Sequence, residues 1–317
     1  MSDDSLRPED FAEAAGAAIT DAEGKSFAEK TAVLAENGLF GVIVAEEQGG
    51  LGLDLSFGIP IVAVAGKLQL RYPLVEQMLV ASALAGEDIG AAIVGGEKTA
   101  AIAWQGSLEE GYATHATFVA DADYVLVASG EGAALLDRAS GEVQEDPSLD
   151  PDYPQYTLKL EGAATVATLS AEAFAKLKFK AKVLYGAFAA GAGEGAMDRA
   201  ASHMAGRVQF GRPLSAKQAV RHTMARMKLL TETSYAGLQR AIAQDEFGAA
   251  RDVDTAFAGA IGNSCFIIEK AIHLHGGMGF TWELPLHCSL RDVRKIDAAF
   301  NTGGVVKSIG KAFIAAA

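Results

Sequence analysis

Apolar side chains recur at helical spacing through both ends of the chain, whereas its middle shows alternation and β-branched residues. The spacing is clearest in the C-terminal half, at Phe257, Ile261, Cys265, Ile268 and Ile272. Gly276 and Gly277 follow this run, and glycine tolerates the left-handed conformation of a helix C-cap. The pattern therefore predicts a helix that ends at Gly276 and a tight loop in which Met278 and Phe280 are apolar anchors.

The N-terminal part, over residues 8–90, has the pattern of a series of helices. Ser26 is expected to cap a helix that closes at Asn37-Gly38, because serine is a preferred N-cap and Asn-Gly a common stop. A short apolar run and a glycine-rich turn come next, with a new helix predicted after Leu55. The segment Arg71-Tyr72-Pro73-Leu74 marks a further break before the next helix.

Strand character begins near Gly95. Four runs alternate or carry β-branched residues and are separated by turn residues: Thr99–Trp104, Thr117–Ser129, Ala133–Leu136 and Tyr156–Leu160. These runs predict a small β-domain over residues 95–173 with short loops.

Helical spacing returns from Phe174 onward. It predicts four long helices, which cover about 179–208, 220–242, the stretch that ends at Gly276, and 302–317, with a shorter helix around Arg291 and Arg294. Amphipathic helices of this length and number are typical of a bundle. The sequence thus predicts a mainly α protein with a central β-domain. Its expected domains are an N-terminal helical domain (1–94), the β-domain (95–173) and a C-terminal four-helix bundle (174–317).

Composition narrows the functional classes. The chain has 317 residues, half of them hydrophobic, and a net charge of −13 with scattered Lys and Arg, so no nucleic-acid partner is expected. The first residues are polar and acidic, and no apolar run approaches membrane-spanning length. Cys265 and Cys288 both lie in apolar surroundings, which is typical of reduced core cysteines. We therefore expect a cytoplasmic protein that does not enter a membrane.

A second glycine-containing segment, Arg207-Val208-Gln209-Phe210-Gly211-Arg212-Pro213-Leu214, joins the first two bundle helices. Arg207 is able to pair bidentately with a phosphate, and Phe210 to cover an apolar ring. Gln218 follows on the next helix, whose first amides point the same way. Taken alone, this segment is an ordinary helix-connecting turn, just as Gly276-Gly277 is an ordinary helix stop.

Together the two segments closely resemble the acyl-CoA dehydrogenase family. The resemblance runs through Arg-Val-Gln-Phe-Gly-Arg-Pro-Leu-Ser-Ala-Lys-Gln, His-Gly-Gly-Met-Gly-Phe, Thr-Trp-Glu-Leu-Pro-Leu-His and Leu-Arg-Asp, and the acidic turn at 46–52 resembles one in the family's N-terminal domain. It implies an N-terminal helical domain, a small β-barrel-like domain and a C-terminal four-helix bundle. It also implies an FAD cofactor that lies across a subunit interface.

In that family the matching residues reach the FAD of a neighbouring subunit and hold its pyrophosphate and adenosine part. The resemblance assigns this role to Arg207, Phe210, Gln218, Gly276 and Gly277, and to His273, which stands near where the family usually has a glutamine. A negative diphosphate beside Arg207 agrees with elementary electrostatics.

The residues that such an enzyme uses for its own flavin and substrate are missing. The family's flavin loop, of Thr-Glu-Pro type and continuing through Gly-Ser-Asp, has no counterpart after Trp104. The family's catalytic base is a carboxylate that removes the proton α to a thioester carbonyl. One of its two positions holds Asn301, which is not basic and is expected to be a helix N-cap. The other falls near Ala181, between Lys180 and Lys182, so no catalytic residue is predicted.

This combination resembles the short, non-catalytic subunits of heteromeric acyl-CoA dehydrogenases of steroid side-chain catabolism. The resemblance implies a full-length catalytic partner, an α2β2 assembly, FAD shared across the interface and an acyl-CoA substrate. Two alternatives stay open. One is a self-sufficient homo-oligomeric dehydrogenase with a displaced base such as Glu283 or Asp297, and the other is a non-redox relative that binds CoA thioesters without FAD.

The remaining motifs predict no other chemistry. Gly191-Ala192-Gly193-Glu194-Gly195 is superficially similar to a dinucleotide loop, but it lies in an Ala-rich helical stretch without the strand that such a loop follows. His273 and His275 are two residues apart and therefore lie on different faces of a helix. Six scattered histidines give no metal site, and no Gly-x-Ser-x-Gly elbow is present.

Overall fold

The computed structural model describes residues 7–147, 150, 152–243 and 252–315. The chain forms two compact units. The first unit takes in the described residues up to Ile61 together with Leu70–Leu184. The second takes in Val62–Gln69 and the described residues from Tyr185 onward. The chain follows the expected order of helices, strands and helices, and the exact domain boundaries stay a prediction.

Five helices precede the strands: α1 (Pro8–Ala22), α2 (Phe27–Glu36), α3 (Leu55–Lys67), α4 (Leu74–Ala83) and α5 (Asp88–Val94). The predicted cap of α2 is confirmed as a capping box, because Ser26 Oγ accepts from the backbone N–H of Glu29 while the Glu29 carboxylate accepts from the N–H of Ser26. The helix ends at Asn37, as expected.

Seven strands form one sheet: β1 (Ala100–Ser107), β2 (Tyr112–Thr117), β3 (Tyr124–Ser129), β4 (Gly132–Asp137), β5 (Glu142–Glu145), β6 (Gln155–Lys159) and β7 (Thr165–Leu169). Their order is β5-β6-β2-β1-β3-β4-β7, with β1 and β3 parallel and the other pairs antiparallel. The prediction of one strand over Thr117–Ser129 is wrong. The chain turns between β2 and β3, where Phe118 adopts a left-handed φ of 54°.

A buried glutamine joins the helices to the sheet. Gln77 on α4 is fully buried, and its amide forms two hydrogen bonds with Ala100, the first residue of β1. Its Nε2 donates to the Ala100 carbonyl at 2.7 Å, and its Oε1 accepts from the Ala100 N–H at 3.0 Å. The Gln77 amide thus takes the place of a neighbouring strand at the first residue of β1. It keeps the buried backbone N–H and carbonyl of Ala100 paired.

Replacing Gln77 by leucine is expected to lower the free energy of unfolding by about 2–4 kcal/mol, because it takes away both bonds to a buried backbone residue. Urea unfolding measures the loss. Gln144→Leu on the exposed strand β5 is the matched control and should change stability by less than about 0.5 kcal/mol. Equal effects of the two substitutions would contradict a structural role for the Gln77 amide.

The helical C-terminal part contains α6 (Ala171–Gly206), α7 (Gln218–Ile242), α8 (Val253–His275), α9 (Leu286–Ala299) and α10 (Thr302–Ala315). Helix α8 ends at Gly276, and its five predicted apolar positions are all buried, so that prediction is confirmed. Helix α6 starts eight residues earlier than the predicted Phe179, because Ser170 Oγ accepts from the N–H of Ala173 and caps it there. The glycine-rich segment 191–195 is helical, as expected.

Within the second unit, α6 lies directly against the end of α3. A Cβ at residue 191 would come within 1.9 Å of the Ala63 carbonyl oxygen, and one at residue 66 within 2.0 Å of the Phe188 carbonyl oxygen. Glycine is therefore required at both points, one on each helix. The small residues that the sequence places in α6 permit a close contact inside this chain.

Two apolar predictions are wrong for the single chain. Met278 and Phe280 are not anchors, because both side chains are exposed and only Gly279 of that loop is buried. The apolar stripe predicted for the last helix is also largely exposed, with Val306 and Phe313 open to solvent. Residues 316–317 lie outside the described residues.

Candidate functional site

The last turns of α6 carry three basic side chains in one column, Arg199, His203 and Arg207. They are four residues apart and so lie on one face of the helix. The N–H of Arg207 donates to the carbonyl of His203 at 2.9 Å, which extends the helical path beyond Gly206. The first and last members are about 12 Å apart along the axis at 1.5 Å per residue. The three basic side chains therefore present their positive charge on one face of the helix.

A stack of two imidazoles joins this column to the end of α8. The rings of His203 and His275 are 4.5 Å apart between centroids, at an interplanar angle of 25°. His275 is buried, and its Nδ1 lies 2.7 Å from the Ala271 carbonyl, to which it must donate. The stack thereby brings the Arg207 segment and the Gly276-Gly277 loop, about seventy residues apart in sequence, to one place.

Arg207 leads into a two-stranded hairpin of β8 (Val208–Gln209) and β9 (Arg212–Pro213). Phe210 and Gly211 form its turn with φ values of 54° and 76°, as in the type I′ turns that match strand twist. Phe210 is 88% exposed at the tip. Lys217 Nζ lies 4.5 Å from the centre of its ring, so the tip folds back toward the start of α7.

Gln218 is the first residue of α7 and is exposed. Its neighbour Lys217 contacts Phe210, so the structure brings Arg207, Phe210 and Gln218 together around one hairpin. His273 is exposed on α8, whereas His275 is buried, which confirms that the two histidines lie on different faces.

The loop after α8 contains Gly276, Gly277 and Gly279, and the structural reason for glycine is not the same at the three positions. Gly276 has a φ of 62° with a ψ of −136°, a conformation that side chains rarely adopt, and a Cβ there would meet nothing within 4 Å. A Cβ at Gly277 would also enter open space. At Gly279, by contrast, it would lie 2.3 Å from the Ile272 carbonyl oxygen. Packing therefore explains Gly279 but leaves the backbone of the first two glycines open to a ligand.

The stretch after Trp104 is part of the β-sheet. Strand β1 continues to Ser107 and turns through residues 108–111 into β2, with Gln105 opposite Thr114 and Ser107 opposite Tyr112. Gly106, at φ 82°, lies so close to Tyr112 that a Cβ would be 2.4 Å from its carbonyl oxygen. A tight antiparallel hairpin occupies this part of the sheet.

Two carboxylates of the second unit, Glu194 and Asp297, are engaged by other side chains. Glu194 accepts from Lys67 Nζ at 2.9 Å and from the Tyr235 hydroxyl at 2.8 Å, and that carboxylate contributes to raising the pKa of Tyr235 behind the larger effect of burial. Asp297 pairs with Arg294 at 3.1 Å.

Asn301 and Ala181 stand where the resemblance predicts the family's base, and Glu283 is an exposed side chain. Asn301 precedes α10 with a φ of 47°, and its carbonyl accepts from the N–H groups of Gly304 and Val305, as at an N-cap position. Ala181 is fully buried in α6.

Over the ranges that the structure describes, no group of three or more His, Cys, Asp or Glu side chains is placed to hold a metal ion. The helices in those ranges are also too short or too polar to cross a membrane. Cys265 and Cys288 are both buried, as predicted.

Comparison with known proteins shows which proteins the chain resembles. A family model described as acyl-CoA dehydrogenase, C-terminal domain, matches residues 180–299. Acyl-CoA dehydrogenase FadE34 of Mycobacterium tuberculosis is 29% identical over 287 residues, which is 86% of this chain and 40% of FadE34. Residues 180–299 therefore match an acyl-CoA dehydrogenase C-terminal domain, and the chain is similar to acyl-CoA dehydrogenases over most of its length. It spans less than half the length of FadE34.

Solved acyl-CoA dehydrogenase structures match nearly the whole chain. A variant of the Tcur3481–Tcur3483 steroid ACAD aligns with a TM-score of 0.82 and 22% identity, over 98% of this chain and 99% of that one. The ChsE4–ChsE5 complex from Mycobacterium tuberculosis aligns with a TM-score of 0.82 and 19% identity, over 99% of both chains. A glutaryl-CoA dehydrogenase from Mycobacterium smegmatis in complex with FADH2 aligns with a TM-score of 0.80 and 13% identity, over 98% and 95%. These matches confirm the predicted acyl-CoA dehydrogenase fold.

Sequence reasoning missed His203 and Arg199. A single histidine near a helix end has no periodic signal, and its ring partner lies about seventy residues away. Arg199 is half-buried, and burial lowers its pKa. The signal that was available for both is their spacing of four and eight residues before Arg207, on one helical face.

The histidine stack is expected to make the stability of this chain sensitive to acid. Burial, followed by the charges of His275 and Arg207, lowers the pKa of His203, so the folded state binds its proton less readily than the unfolded state. The neutral imidazole therefore favours the folded state fully at a pH above the unfolded-state pKa of about 6.5. This stability is lost as the pH falls through the lower pKa of the folded state. His203→Phe keeps a ring but not the proton.

Melting temperatures between pH 7.5 and 5 measure this effect. The wild type should lose more thermal stability over this interval than His203→Phe, while His222→Gln, an exposed histidine on α7, should follow the wild type. Parallel curves for wild type and His203→Phe would show that protonation of His203 does not oppose folding.

Proposed function

We propose that this chain is the non-catalytic subunit of a heteromeric FAD-dependent acyl-CoA dehydrogenase. In this assembly it completes the FAD site of a full-length catalytic partner. The FAD lies across the subunit interface, and the partner supplies the carboxylate that removes the proton. The reaction is the α,β-desaturation of an acyl-CoA thioester.

One observation carries the proposal, the contrast between the two halves of a flavin site. The histidine stack joins an exposed guanidinium, an exposed aromatic ring and two open glycines at one place. By contrast, a β-hairpin occupies the stretch after Trp104, and Asn301 and Ala181 occupy the base positions. We infer from this contrast that the chain offers groups to a neighbour's cofactor and does not hold a cofactor of its own.

The residues present fit the diphosphate and adenosine part of FAD. Arg207 would pair with the diphosphate, since a guanidinium forms charge-assisted, bidentate bonds with phosphate oxygens. The Gly276-Gly277 backbone would approach the cofactor closely because no side chain intervenes. Phe210 would cover a flat ring, and Gln218 and His273 would donate hydrogen bonds at its edges. When bound, FAD supplies the acceptor for the hydride from the substrate β-carbon.

The comparisons support the nature of the partner and the substrate. A chain of a structure named as the ChsE4–ChsE5 complex and one of a structure named as a steroid ACAD both match this fold over nearly their full length. We propose an α2β2 assembly that acts on the CoA thioester of a steroid side chain.

Co-expression with a full-length acyl-CoA dehydrogenase encoded next to this chain tests the proposal. The expected product is a complex with one FAD per heterodimer that oxidises acyl-CoA, while this chain alone is colourless and inactive. If this chain alone were yellow and active, it would be a self-sufficient homo-oligomer. If the product stayed colourless with its partner present, it would be a CoA-thioester-binding relative without FAD.

Arg207→Ala should reduce the FAD content of the purified complex at least about tenfold, since a charge-assisted phosphate contact is worth about 1.5–3 kcal/mol. Flavin absorbance per heterodimer measures occupancy, and circular dichroism checks that each chain stays folded. Arg240→Ala, at the opposite end of α7, is the matched control and should leave occupancy unchanged. Full occupancy in Arg207→Ala would remove this residue from the cofactor site.

Asn301→Ala should leave turnover of the complex within about twofold, because an amide has no useful basicity and the residue belongs to a helix start. Steady-state kinetics of the complex provide the measurement. A collapse of kcat with an unchanged melting temperature would assign Asn301 a catalytic role.

A further inference from the structure

A cavity of about 340 Å³ lies between α4 and the first three turns of α6. Leu79 and Leu177, both buried, form part of its apolar wall. Ser82, Lys176 and Lys180 supply polar groups to it. The residues proposed to meet FAD lie between positions 207 and 277, so the proposed function leaves this cavity and its lysines unexplained.

Lys180 has a neutral partner in this cavity. Its half-buried Nζ donates to Ser82 Oγ at 2.5 Å, and the Ser82 hydroxyl in turn donates to the Ile43 carbonyl at 3.3 Å. Ser82 therefore serves Lys180 as an acceptor only. Among the residues that the structure describes, no carboxylate pairs with Lys180. Its ammonium form is thus partly desolvated without a counter-charge, which favours the neutral amine.

The neighbouring lysine provides the contrast. Lys176, one turn earlier on α6, is exposed and pairs with Glu172 at 2.7 Å. These two are the other titratable groups that line the cavity. Burial first, and the positive charge of Lys176 second, lower the pKa of Lys180. An amine with a lowered pKa is a better nucleophile near neutral pH, because more of it carries a free electron pair.

We propose that Lys180 is a site of Nε-acylation by short-chain acyl-CoA thioesters. The neutral amine attacks the thioester carbonyl carbon, a C–N bond forms, and the C–S bond breaks. The CoA thiolate leaves and takes up the proton that the nitrogen loses, so the products are an amide and free CoA thiol. The step needs no oxidant, no flavin and no partner subunit, and it goes beyond the proposed function.

The cavity has room for the product. At about 30 Å³ for each water in the liquid, 340 Å³ equals the volume of about eleven waters, which exceeds that of an acetyl or propionyl group. Acylation also abolishes the charge that burial disfavours and places apolar atoms beside Leu79 and Leu177. The folded chain therefore accommodates the modified lysine better than the ammonium.

Incubation of the full chain alone with acetyl-CoA at pH 7.5, followed by peptide mass spectrometry, tests the proposal. Lys180 should be acetylated about tenfold faster than Lys176, which serves as the internal control on the same helix. The rate at Lys180 should also level off at a lower pH than the rate at Lys176. Lys180→Arg should abolish the fast modification, with its melting temperature used to confirm folding.

Equal rates at the two lysines, or an unmodified Lys180 beside a modified Lys176, would overturn the proposal. Because the assay contains neither FAD nor a second subunit, its outcome is independent of whether this chain completes a flavin site. The flavin count of the co-expressed complex can therefore fail while the acylation result stands, and the reverse is equally possible.

Discussion

Close packing of α6 against the end of α3 is the constraint on which the second unit depends. Gly191 lies against the Ala63 carbonyl and Gly66 lies against the Phe188 carbonyl. Each helix must therefore lack a side chain where the backbone of the other helix contacts it. Helices that meet backbone to backbone cannot slide, because a shift of one residue brings a Cβ into the contact. The position of α6 along its axis then decides where Arg199, His203 and Arg207 emerge.

The ion pairs beside this contact hold α6 in the same position. Lys67, the last residue of α3, reaches both Glu194 at 2.9 Å and Asp198 at 2.8 Å, one turn apart on α6. The Tyr235 hydroxyl of α7 donates to the same Glu194. The Glu194 carboxylate thus connects α3, α6 and α7 within the second unit.

Hydrophobic spacing predicted the helices well, because the buried positions of a helix recur with its period of 3.6 residues. It missed β2, β5 and β7. Strand β2 is held by pairing with β1 and β6, β5 by pairing with β6, and β7 by pairing with β4, and such pairing does not show in the hydrophobic spacing. Resemblance supplied the candidate cofactor residues, whereas the stacking of His203 on His275 was missed because the two rings are distant in sequence. Met278 and Phe280 were misassigned because hydrophobicity alone does not say which molecule buries a side chain.

The exposed aromatic side chains around the hairpin and loop also affect how the isolated chain behaves in solution. Phe210, Phe280 and Trp282 are 88%, 75% and 61% exposed, on a molecule whose net charge is −13. Electrostatic repulsion between these negatively charged molecules opposes association through their exposed apolar surfaces. Salt at 0.1 M screens this repulsion beyond about 10 Å. Colloidal stability of the unpartnered chain therefore depends on low ionic strength and on a pH well above its isoelectric point near 4.9.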